Sequence, residues 1–336
     1  MHGRVAVIGA GSWGTALSLL LAGKGLDVRL WAHRREHVDN IRSQGENRAY
    51  LPGFPLAANI LVTADIAEAV VDCPVVVMVV PSHGYRHVFR RLLPHLTPET
   101  VVVSAAKGIE NESLMTMTMI MADEAGTQGC RTAVLSGPSF AKEVAGGKPT
   151  AVTVAATDVE IAAKVQQLFF TPMFRVYSST DVVGVEMGGP LKNVIAIAAG
   201  ISDGLDFGTN ARAALITRGL AELTRLAVRM GARPLTMAGL AGLGDLVLTC
   251  TGDLSRNRSV GLKLGQGQTL ALIMDEMRMV AEGVKTTRSA RQLALRMGVE
   301  MPILEEVYQV LYEEKRCDEA VRSLMGRDQK QELEGV

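Results

Sequence analysis

The chain lacks the features that would direct it to nucleic acid or to a membrane. Its 35 Lys and Arg are balanced by 35 Asp and Glu, so the formal net charge is zero. Because no basic excess attracts phosphodiesters or anionic lipid, we expect no nucleic-acid partner and no membrane insertion. The longest later apolar run, Val75–Val80, ends at Pro81 and is far shorter than a membrane span.

Cysteine is scarce as well. Cys73, Cys130, Cys250 and Cys317 form no CxxC pair, which excludes the common zinc and disulfide spacings and predicts reduced thiols. Because no His, Asp and Glu cluster with ligand spacing occurs either, we expect no metal. The first apolar run, Arg4–Ile8, reaches glycine too soon to be a signal-peptide core. The expected compartment is therefore the cytoplasm.

The 336 residues, 48% of them hydrophobic, suffice for two domains with packed cores. In the first half, short β-branched runs alternate with helical patterns, which is typical of a parallel sheet covered by helices. The predicted strands are Val5–Ile8, Val28–Trp31, Ile60–Val62, Val75–Val80, Val101–Ala105, Ala133–Leu135, Ala151–Val154 and Phe174–Tyr177. Predicted helices include Thr15–Ala22, Ile66–Val71, Gly84–Leu93 and Ile161–Phe169.

The character of the sequence changes at about residue 185. Apolar residues then recur at helical spacing, as at Leu220, Leu223 and Leu226, and strand-like runs nearly vanish. We therefore expect an α/β dinucleotide-binding domain over residues 1–185 and an all-helical substrate domain over residues 186–336, with a glycine-rich loop at Gly239–Asp245. The long apolar helices leave room for a dimer interface, so we expect a homodimer.

A glycine motif follows the first predicted strand. Residues 9–14 read G-A-G-S-W-G and open a predicted helix, which is the context that a dinucleotide fingerprint requires. Gly9 permits the tight turn, Gly11 lets the pyrophosphate approach the backbone, and Gly14 lets the helix pack on its strand. The helix N-terminus then offers free N–H groups to the phosphates. A glycine turn with no ligand is the alternative.

The end of the second strand bears on cofactor choice. An NAD-specific site usually carries Asp or Glu there, whereas this chain reads W-A-H-R-R at 31–35. Arg34 can pair with a 2′-phosphate, which favours NADP(H) while NAD(H) stays possible. The alternative is that Arg34 and Arg35 are solvated loop cations.

Two segments at predicted strand ends carry candidate catalytic or binding residues. In open α/β sheets ligands bind outside the carboxyl ends of strands, where Lys107 follows S-A-A at 104–106. The second segment reads S-G-P-S-F-A at 136–141, where Pro138 suits the first turn of a helix. Ser139 there either begins the helix or binds a ligand, and Lys142 and Glu143 are expected on the helix surface.

A third segment, Gly188–Gly200, places Lys192 at the start of a helix that is otherwise apolar on every side. Such a helix is buried. A buried ammonium loses its proton more easily, which suits an acid–base catalyst. The alternative is a lysine that extends to the surface from the helix end. Asn193 either orients the substrate or caps the helix start.

A phosphate-binding set follows in the second half. Ser255, Arg256 and Asn257 supply hydroxyl, guanidinium and amide donors, which together suit a phosphate dianion, although an ordinary polar turn is the alternative. Asp245 is a lone carboxylate in a glycine-rich stretch and is expected to hold Lys192 or a substrate hydroxyl.

Eight blocks of the chain, in order, resemble bacterial NAD(P)-dependent glycerol-3-phosphate dehydrogenases. They read G-A-G-S-W-G-T-A at 9–16, K-G-I-E at 107–110, S-G-P-S-F-A at 136–141, L-K-N-V-I-A at 191–196, G-I-S-D-G-L at 200–205, N-A-R-A-A-L-I at 210–216, A-G-L-G-D-L at 241–246 and S-R-N at 255–257. The likeness runs from residue 4 to about residue 325. It implies a Rossmann-type, mostly parallel sheet domain followed by an all-α domain of the 6-phosphogluconate dehydrogenase C-terminal type.

The resemblance also implies a reaction and a set of site residues. The reaction is reversible reduction of dihydroxyacetone phosphate to sn-glycerol 3-phosphate, feeding glycerophospholipid synthesis, with Lys192 as general acid/base. Lys107 would lie where cofactor and substrate meet. The implied substrate-binding residues are Lys107, Gly137, Ser139, Lys192, Asn193, Asp245, Ser255, Arg256 and Asn257. The implied cofactor-binding residues are Gly9, Gly11, Ser12, Trp13, Gly14, His33, Arg34, Tyr50, Lys107, Ala141, Arg256, Val280 and Glu282.

Two other functions stay open at this point. One is a dehydrogenase of another small hydroxy acid or phosphorylated polyol, because a fold alone does not determine the substrate. The other is a regulator that senses NAD(P) without chemistry. The buried Lys192 and the separate phosphate-binding set speak against a regulator.

Overall fold

The computed structural model describes residues 3–126, 129–277, 281–329 and 331–332. The chain divides into two compact units: Met1–Lys107 with Met115–Val182, and Gly108–Leu114 with Val183–Val336. The sequence places the boundary slightly later, after residue 185, and leaves the segment 108–114 in the first domain. Ile109 explains the difference, because it is buried in the hydrophobic core of the second unit.

The first unit contains one eight-stranded sheet in the order β3-β2-β1-β4-β5-β6-β7-β8. Every neighbouring pair is parallel except β6 and β7, which are antiparallel. Each predicted strand is present, and the strands are β1 Arg4–Ile8, β2 Asp27–Trp31, β3 Ile60–Thr63, β4 Val75–Met78, β5 Val101–Ser104, β6 Arg131–Ser136, β7 Thr150–Ala155 and β8 Phe174–Ser179. The Rossmann-type fold class is thereby confirmed.

Helices cover both faces of this sheet. Val5 and Val7 of β1 pack into one hydrophobic cluster, and the alternate residues Ala6 and Ile8 pack into another. Such burial of both faces explains why a central strand such as β4 reads as an unbroken apolar run. The helices are α1 Ser12–Gly23, α2 Arg35–Gln44, α3 Ile66–Val70, α4 Ser82–Leu92, α5 Met117–Ala125, α6 Ala141–Ala145 and α7 Val159–Phe169.

The second unit is helical, as predicted. Its helices are α8 Val182–Gly204, α9 Gly208–Arg229, α10 Pro234–Met237, α11 Asp245–Thr251, α12 Arg256–Gly265, α13 Leu270–Glu276, α14 Glu282–Met297, α15 Pro302–Tyr312 and α16 Cys317–Met325. The predicted loop at Gly239–Asp245 is wrong. Residues Leu240–Gly244 form a single π-helical turn that runs directly into α11.

Helix α8 differs from its prediction at its N-terminal end. It begins at Val182 and continues through Pro190, so Lys192 and Asn193 lie within the helix and not at its start. The prediction of a helix start at Lys192 is wrong, and of the two alternatives for Asn193 the cap of that start is excluded. Proline usually ends a helix because it cannot donate the backbone bond and crowds the preceding turn. Here the surrounding core buries the helix on all sides from Gly184 to Ile197, and this packing outweighs the local preference.

Within the described part of the chain, two helical stretches are long and apolar enough to cross a membrane by length and composition, Val182–Gly204 and Pro234–Thr251. Neither is an unbroken apolar run, so the run length read from the sequence missed both. The apolar window of the first is 83% buried within the protein, which is typical of a core helix.

Candidate active site

The turn between β1 and α1 requires glycine at two positions, because a side chain there would clash with backbone atoms of the protein. Gly9 has φ +124°, and a Cβ there would lie 2.7 Å from the Val79 carbonyl oxygen. A Cβ on Gly14 would lie 1.8 Å from the carbonyl oxygen of Gly9. These two glycines therefore shape the turn and let α1 begin directly beside β1.

Gly11 is different, because no described atom of the protein would clash with a side chain at this position. It lies at the N-cap of α1 in an extended conformation, and a Cβ there would meet no atom within 4 Å. The first N–H groups of a helix have no carbonyl partner within the helix itself, and such groups favour an anion. The turn thus fits the pyrophosphate of a dinucleotide, since a side chain at residue 11 would fill the space that the ligand needs.

The other predicted cofactor residues differ in their burial and in their hydrogen bonds. The Ser12 hydroxyl donates to the Tyr50 carbonyl at 2.6 Å, so the backbone of Tyr50 contacts the glycine turn. His33 and Arg34 are exposed where β2 leads into α2. Glu282 is the first residue of α14 and is half-buried. Val280 lies outside the described residues.

Lys107, Gly137 and Ser139 come together at the carboxyl ends of β5 and β6. Lys107 Nζ donates to the Gly137 carbonyl at 3.2 Å, and the Ser139 hydroxyl donates to the same oxygen at 2.9 Å. Gly137 has φ +143°, and a Cβ there would lie 2.9 Å from the Val152 Cα, so only glycine fits. The predicted start of a helix at Pro138 is wrong, because α6 begins at Ala141.

Lys192 is buried in the second unit, with 6% of its surface exposed. Its Nζ forms an ion pair with the Asp245 carboxylate and donates to Thr249 Oγ1 at 2.8 Å. The Thr249 hydroxyl donates to the Asp245 carbonyl at 2.6 Å. The alternative of a lysine that reaches bulk water from the helix end is therefore excluded by the structure.

Thr249 is the site residue that the sequence reading missed. It lies four residues after Asp245 on α11, and side chains at this spacing share one helix face. That spacing was visible in the sequence. However, the π-helical turn that precedes α11 was read as a loop, so no helix face was assigned to Asp245. Single π turns are frequent at functional sites.

The Ser255–Asn257 segment begins α12. Ser255 caps the helix, because its Oγ accepts from the Arg258 backbone N–H at 3.2 Å. Asn257 Oδ1 accepts from the Gly283 N–H at 3.0 Å, which ties α12 to the first turn of α14. Arg256 is exposed in the first turn of α12. Ser255 and Asn257 thus each make a bond that holds the start of α12. The Asn257 amide nitrogen, the Arg256 guanidinium and the helix N-terminus are groups that can donate to an anion.

Backbone contact holds α8 directly against α12. A Cβ on Gly200 would lie 2.0 Å from the Arg258 carbonyl oxygen, and a Cβ on Gly261 would lie 2.0 Å from the Ile197 carbonyl oxygen. Asp203 of α8 also pairs with Arg258 of α12 at 2.8 Å. The helix that carries Lys192 and the helix that begins at Arg256 therefore have a fixed relative position.

Among the described residues, no group of three or more His, Cys, Asp and Glu side chains could hold a metal ion. The polar groups that are present suit organic anions. The first unit offers a glycine turn at a helix N-terminus, and the second offers a buried ammonium paired with a carboxylate beside a second helix N-terminus. The first arrangement can bind a dinucleotide, and the second can bind an anion and exchange a proton.

Two family models match the chain. The model described as NAD-dependent glycerol-3-phosphate dehydrogenase N-terminus matches residues 4–162, and the corresponding C-terminus model matches residues 181–322. Among curated relatives, a protein of Desulfotalea psychrophila is 58% identical over 332 residues, which are 98% of each chain. One of Geobacter sulfurreducens is 59% identical over 333 residues, which are 99% of each chain. Both are named glycerol-3-phosphate dehydrogenase (NAD(P)+).

Solved structures agree with these matches. Glycerol-3-phosphate dehydrogenase from Coxiella burnetii is 40% identical with a TM-score of 0.94, over 97% of this chain and 99% of that one. Glycerol-3-phosphate dehydrogenase from Saccharomyces cerevisiae is 26% identical with a TM-score of 0.82, over 97% of this chain and all of that one. A ketopantoate reductase from Ralstonia eutropha, at 17% identity and a TM-score of 0.60, shares the fold alone.

Proposed function

The chain belongs to the NAD-dependent glycerol-3-phosphate dehydrogenase family, and from this premise we propose that it reduces dihydroxyacetone phosphate to sn-glycerol 3-phosphate, reversibly. The family resemblance read from the sequence is confirmed, and the protein is an NAD(P)-dependent oxidoreductase. The observation that carries the proposal is the buried Lys192, paired with Asp245 and bonded to Thr249.

We propose that Lys192 is the general acid/base. When bound, the nicotinamide supplies or accepts a hydride at C2 of the triose. In the reducing direction, the Lys192 ammonium donates a proton to the oxygen that becomes the C2 hydroxyl, and in the oxidising direction the neutral amine removes it. Asp245 and Thr249 hold the amine through its other N–H bonds, so its direction is set before substrate binds. Lys107 adds positive charge that stabilises the developing alkoxide.

The substrate phosphate is assigned to Ser255, Arg256 and Asn257, at the N-terminus of α12. Arg256 and the helix N-terminus favour a dianion, and they bind a group of the substrate that does not itself react. Their binding energy therefore orients the carbonyl without taking part in bond making. Gly137, Ser139 and Asn193 are assigned to the rest of the substrate.

The cofactor is assigned to the glycine turn and the segments beside it. Gly11 and the N–H groups of α1 bind the pyrophosphate, and Arg34 binds a 2′-phosphate, so we propose a preference for NADP(H) over NAD(H). The remaining assigned residues are Gly9, Ser12, Trp13, Gly14, His33, Tyr50, Lys107, Ala141, Arg256, Val280 and Glu282.

A substrate panel tests the proposed reaction. The protein is mixed with NADPH and, in turn, dihydroxyacetone phosphate, glyceraldehyde 3-phosphate, unphosphorylated dihydroxyacetone and ketopantoate, and the absorbance of NADPH is followed. We expect steady oxidation with dihydroxyacetone phosphate and a large loss when the phosphate is missing. Faster oxidation with ketopantoate would instead favour a hydroxy-acid dehydrogenase, and no oxidation with any ketone would favour a regulator.

We further propose a cytoplasmic homodimer whose product enters glycerophospholipid synthesis. Sedimentation of the purified protein should give twice the 35.9 kDa mass of one chain. A bacterium that lacks its own enzyme and needs added glycerol 3-phosphate should grow without it once this chain is expressed. The protein should appear in the soluble cytoplasmic fraction of those cells.

A further inference from the structure

We propose that Asn47 is a positioning residue that sets the affinity for the dinucleotide by holding the glycine turn in its binding conformation. Asn47 lies on the connection between α2 and β3, far along the chain from the turn, and it is fully buried. The inference rests on the proposed role of the turn at residues 9–14 in cofactor binding. It adds a residue outside the glycine motif and outside the residues assigned to the cofactor.

The Asn47 amide uses both of its N–H groups on the glycine turn. Nδ2 donates to the Ala10 carbonyl at 2.9 Å and to Thr15 Oγ1 at 2.8 Å. Thr15 Oγ1 in turn donates to the Gly11 carbonyl at 2.8 Å. One buried side chain therefore contacts two consecutive carbonyl groups of the turn, one directly and one through Thr15. His37 Nε2 also lies 3.4 Å from the Ala10 oxygen, a longer contact than the one from Asn47.

The orientation of the Ala10 carbonyl determines which group of the turn faces the cofactor. The peptide between Ala10 and Gly11 can rotate as a unit, which exchanges the position of its C=O and its N–H. A rotated peptide would aim the Ala10 oxygen towards the bound phosphates in place of the Gly11 N–H, and this would repel the anion. The bond from Asn47 stabilises the unrotated form, so the turn does not have to reorganise when the cofactor binds.

The segment that carries Asn47 is itself held in place. The Asn47 carbonyl accepts from the backbone N–H of Leu51 at 2.8 Å and from that of Tyr50 at 3.2 Å. The Tyr50 carbonyl accepts from the Ser12 hydroxyl at 2.6 Å. The segment thus meets the turn at two points, and the Asn47 side chain has a rigid base from which to act.

Asn59 offers a matched control in the same unit. Its Nδ2 donates to the carbonyls of Ala22 at 2.9 Å and Leu26 at 2.8 Å, at the opposite end of α1. Asn47 and Asn59 therefore both donate from a side-chain amide to a backbone carbonyl, at the two ends of one helix. Only Asn47 makes it at the end where the glycine turn lies.

The experiment compares Asn47→Ala, Thr15→Val and Asn59→Ala in the full-length protein. NADPH affinity is measured by titration of its fluorescence, KM and kcat for dihydroxyacetone phosphate are measured at saturating NADPH, and thermal stability is recorded for each variant. For Asn47→Ala we expect the Kd for NADPH to rise about tenfold, the effect of losing roughly one buried hydrogen bond, with kcat unchanged. Thr15→Val should raise the Kd in the same direction. Asn59→Ala should lower the melting temperature but leave the Kd unchanged.

Three results decide the outcome. A wild-type Kd in Asn47→Ala overturns the inference, and so does an equal rise in Asn59→Ala, because the effect would then follow from stability alone. If Asn47→Ala does not fold, the near-isosteric Thr15→Val decides, and an unchanged Kd there also overturns it. Gly11→Ala tests whether the cofactor binds at the glycine turn at all, apart from the role of Asn47. Normal NADPH binding by that variant would contradict the proposed cofactor site.

Discussion

Lys192 and Asp245 form an ion pair in which the two side chains are 8% and 1% exposed. Two charges withdrawn from water at this depth stabilise the fold little, and removal of one partner leaves the other buried and unpaired. A chain that needed only stability could use apolar residues at both positions. The burial of both charges therefore supports the proposal that Lys192 takes part in the reaction.

Lys192→Ala should nearly abolish turnover while NADPH still binds, because the proton donor is lost and the dinucleotide turn lies in the other unit. The Asp245 charge left behind costs about 3–5 kcal/mol, so the variant is also expected to be less stable. The double variant Lys192→Met with Asp245→Asn restores an uncharged pair and is the control for folding. Stopped turnover in a stable double variant supports the role of Lys192, and wild-type turnover in either protein rules it out.

Thr249→Val should reduce kcat by about tenfold, the effect expected when a hydrogen bond that positions the proton donor is lost. The side chains are nearly equal in volume, so the exchange leaves no cavity, and its structural cost is the loss of the hydroxyl's bonds to Lys192 and to the Asp245 carbonyl. Thr251→Val is the matched control, because Thr251 is exposed on the same helix and its hydroxyl donates only to the Val247 carbonyl. Steady-state kinetics with dihydroxyacetone phosphate measure both, and equal kcat values for the two variants would contradict the assignment.

Arg34→Ala should reduce the preference for NADPH over NADH. A guanidinium that pairs with the 2′-phosphate contributes only when that phosphate is present, so kcat/KM for NADPH should fall while that for NADH is unchanged. Arg35→Ala, the exposed neighbouring arginine, serves as the comparison. A ratio of the two efficiencies near one in the wild type and in Arg34→Ala would remove the basis for an NADP(H) preference.

Gly11→Ala and Gly14→Ala should fail in different ways. Gly14→Ala should unfold or strongly destabilise the first unit, because its Cβ would lie 1.8 Å from a backbone oxygen. Gly11→Ala should melt like the wild type, because its Cβ meets no protein atom, and yet should lose NADPH binding. Thermal melts and fluorescence titrations distinguish the two effects. Tight NADPH binding by a folded Gly11→Ala protein would show that the pyrophosphate lies elsewhere.

Glu222 should make stability depend on pH. Burial raises the pKa of this carboxyl from 4.5 to about 7, against the opposing effect of the Ile303 and Leu304 N–H groups at the start of α15. Because the folded protein holds this proton more tightly than the unfolded chain, the stabilisation is complete below pH 4.5. It is lost as the pH rises through about 7, an effect on the order of 3 kcal/mol.

Glu222→Gln cannot titrate and should lack this pH dependence. Urea unfolding at about pH 5 and about pH 8 gives the free energy of unfolding at each pH. The decrease in this free energy between the two pH values should be smaller in the variant than in the wild type. Equal losses in the two proteins would mean that Glu222 does not carry the effect.

Local patterns determined most of the first unit and the helical character of the second. The run lengths and turn residues around β1–β8 predicted every strand, because central strands such as β4 are buried on both faces and read as apolar runs, whereas β8 shows the alternation of a half-buried strand. The glycine turn could also be predicted, because Gly14 is required by its contact with Gly9 and Gly9 by its own positive φ, both local features of the motif. Lys192 was identified from its apolar neighbours, because burying a lone charge in a helix costs free energy and is therefore unusual without a function or a partner.

Tertiary structure alone decided which groups meet. Local patterns did not predict four features of the structure. These are the continuation of α8 through Pro190, the π turn before Asp245, the bond from Lys192 to Thr249 and the bond from Asn47 to the Ala10 carbonyl. The physical reason is that composition and periodicity specify how much of a segment is buried and on which face. The partner that each buried polar group finds depends on packing between elements distant in the chain, and no local pattern encodes it.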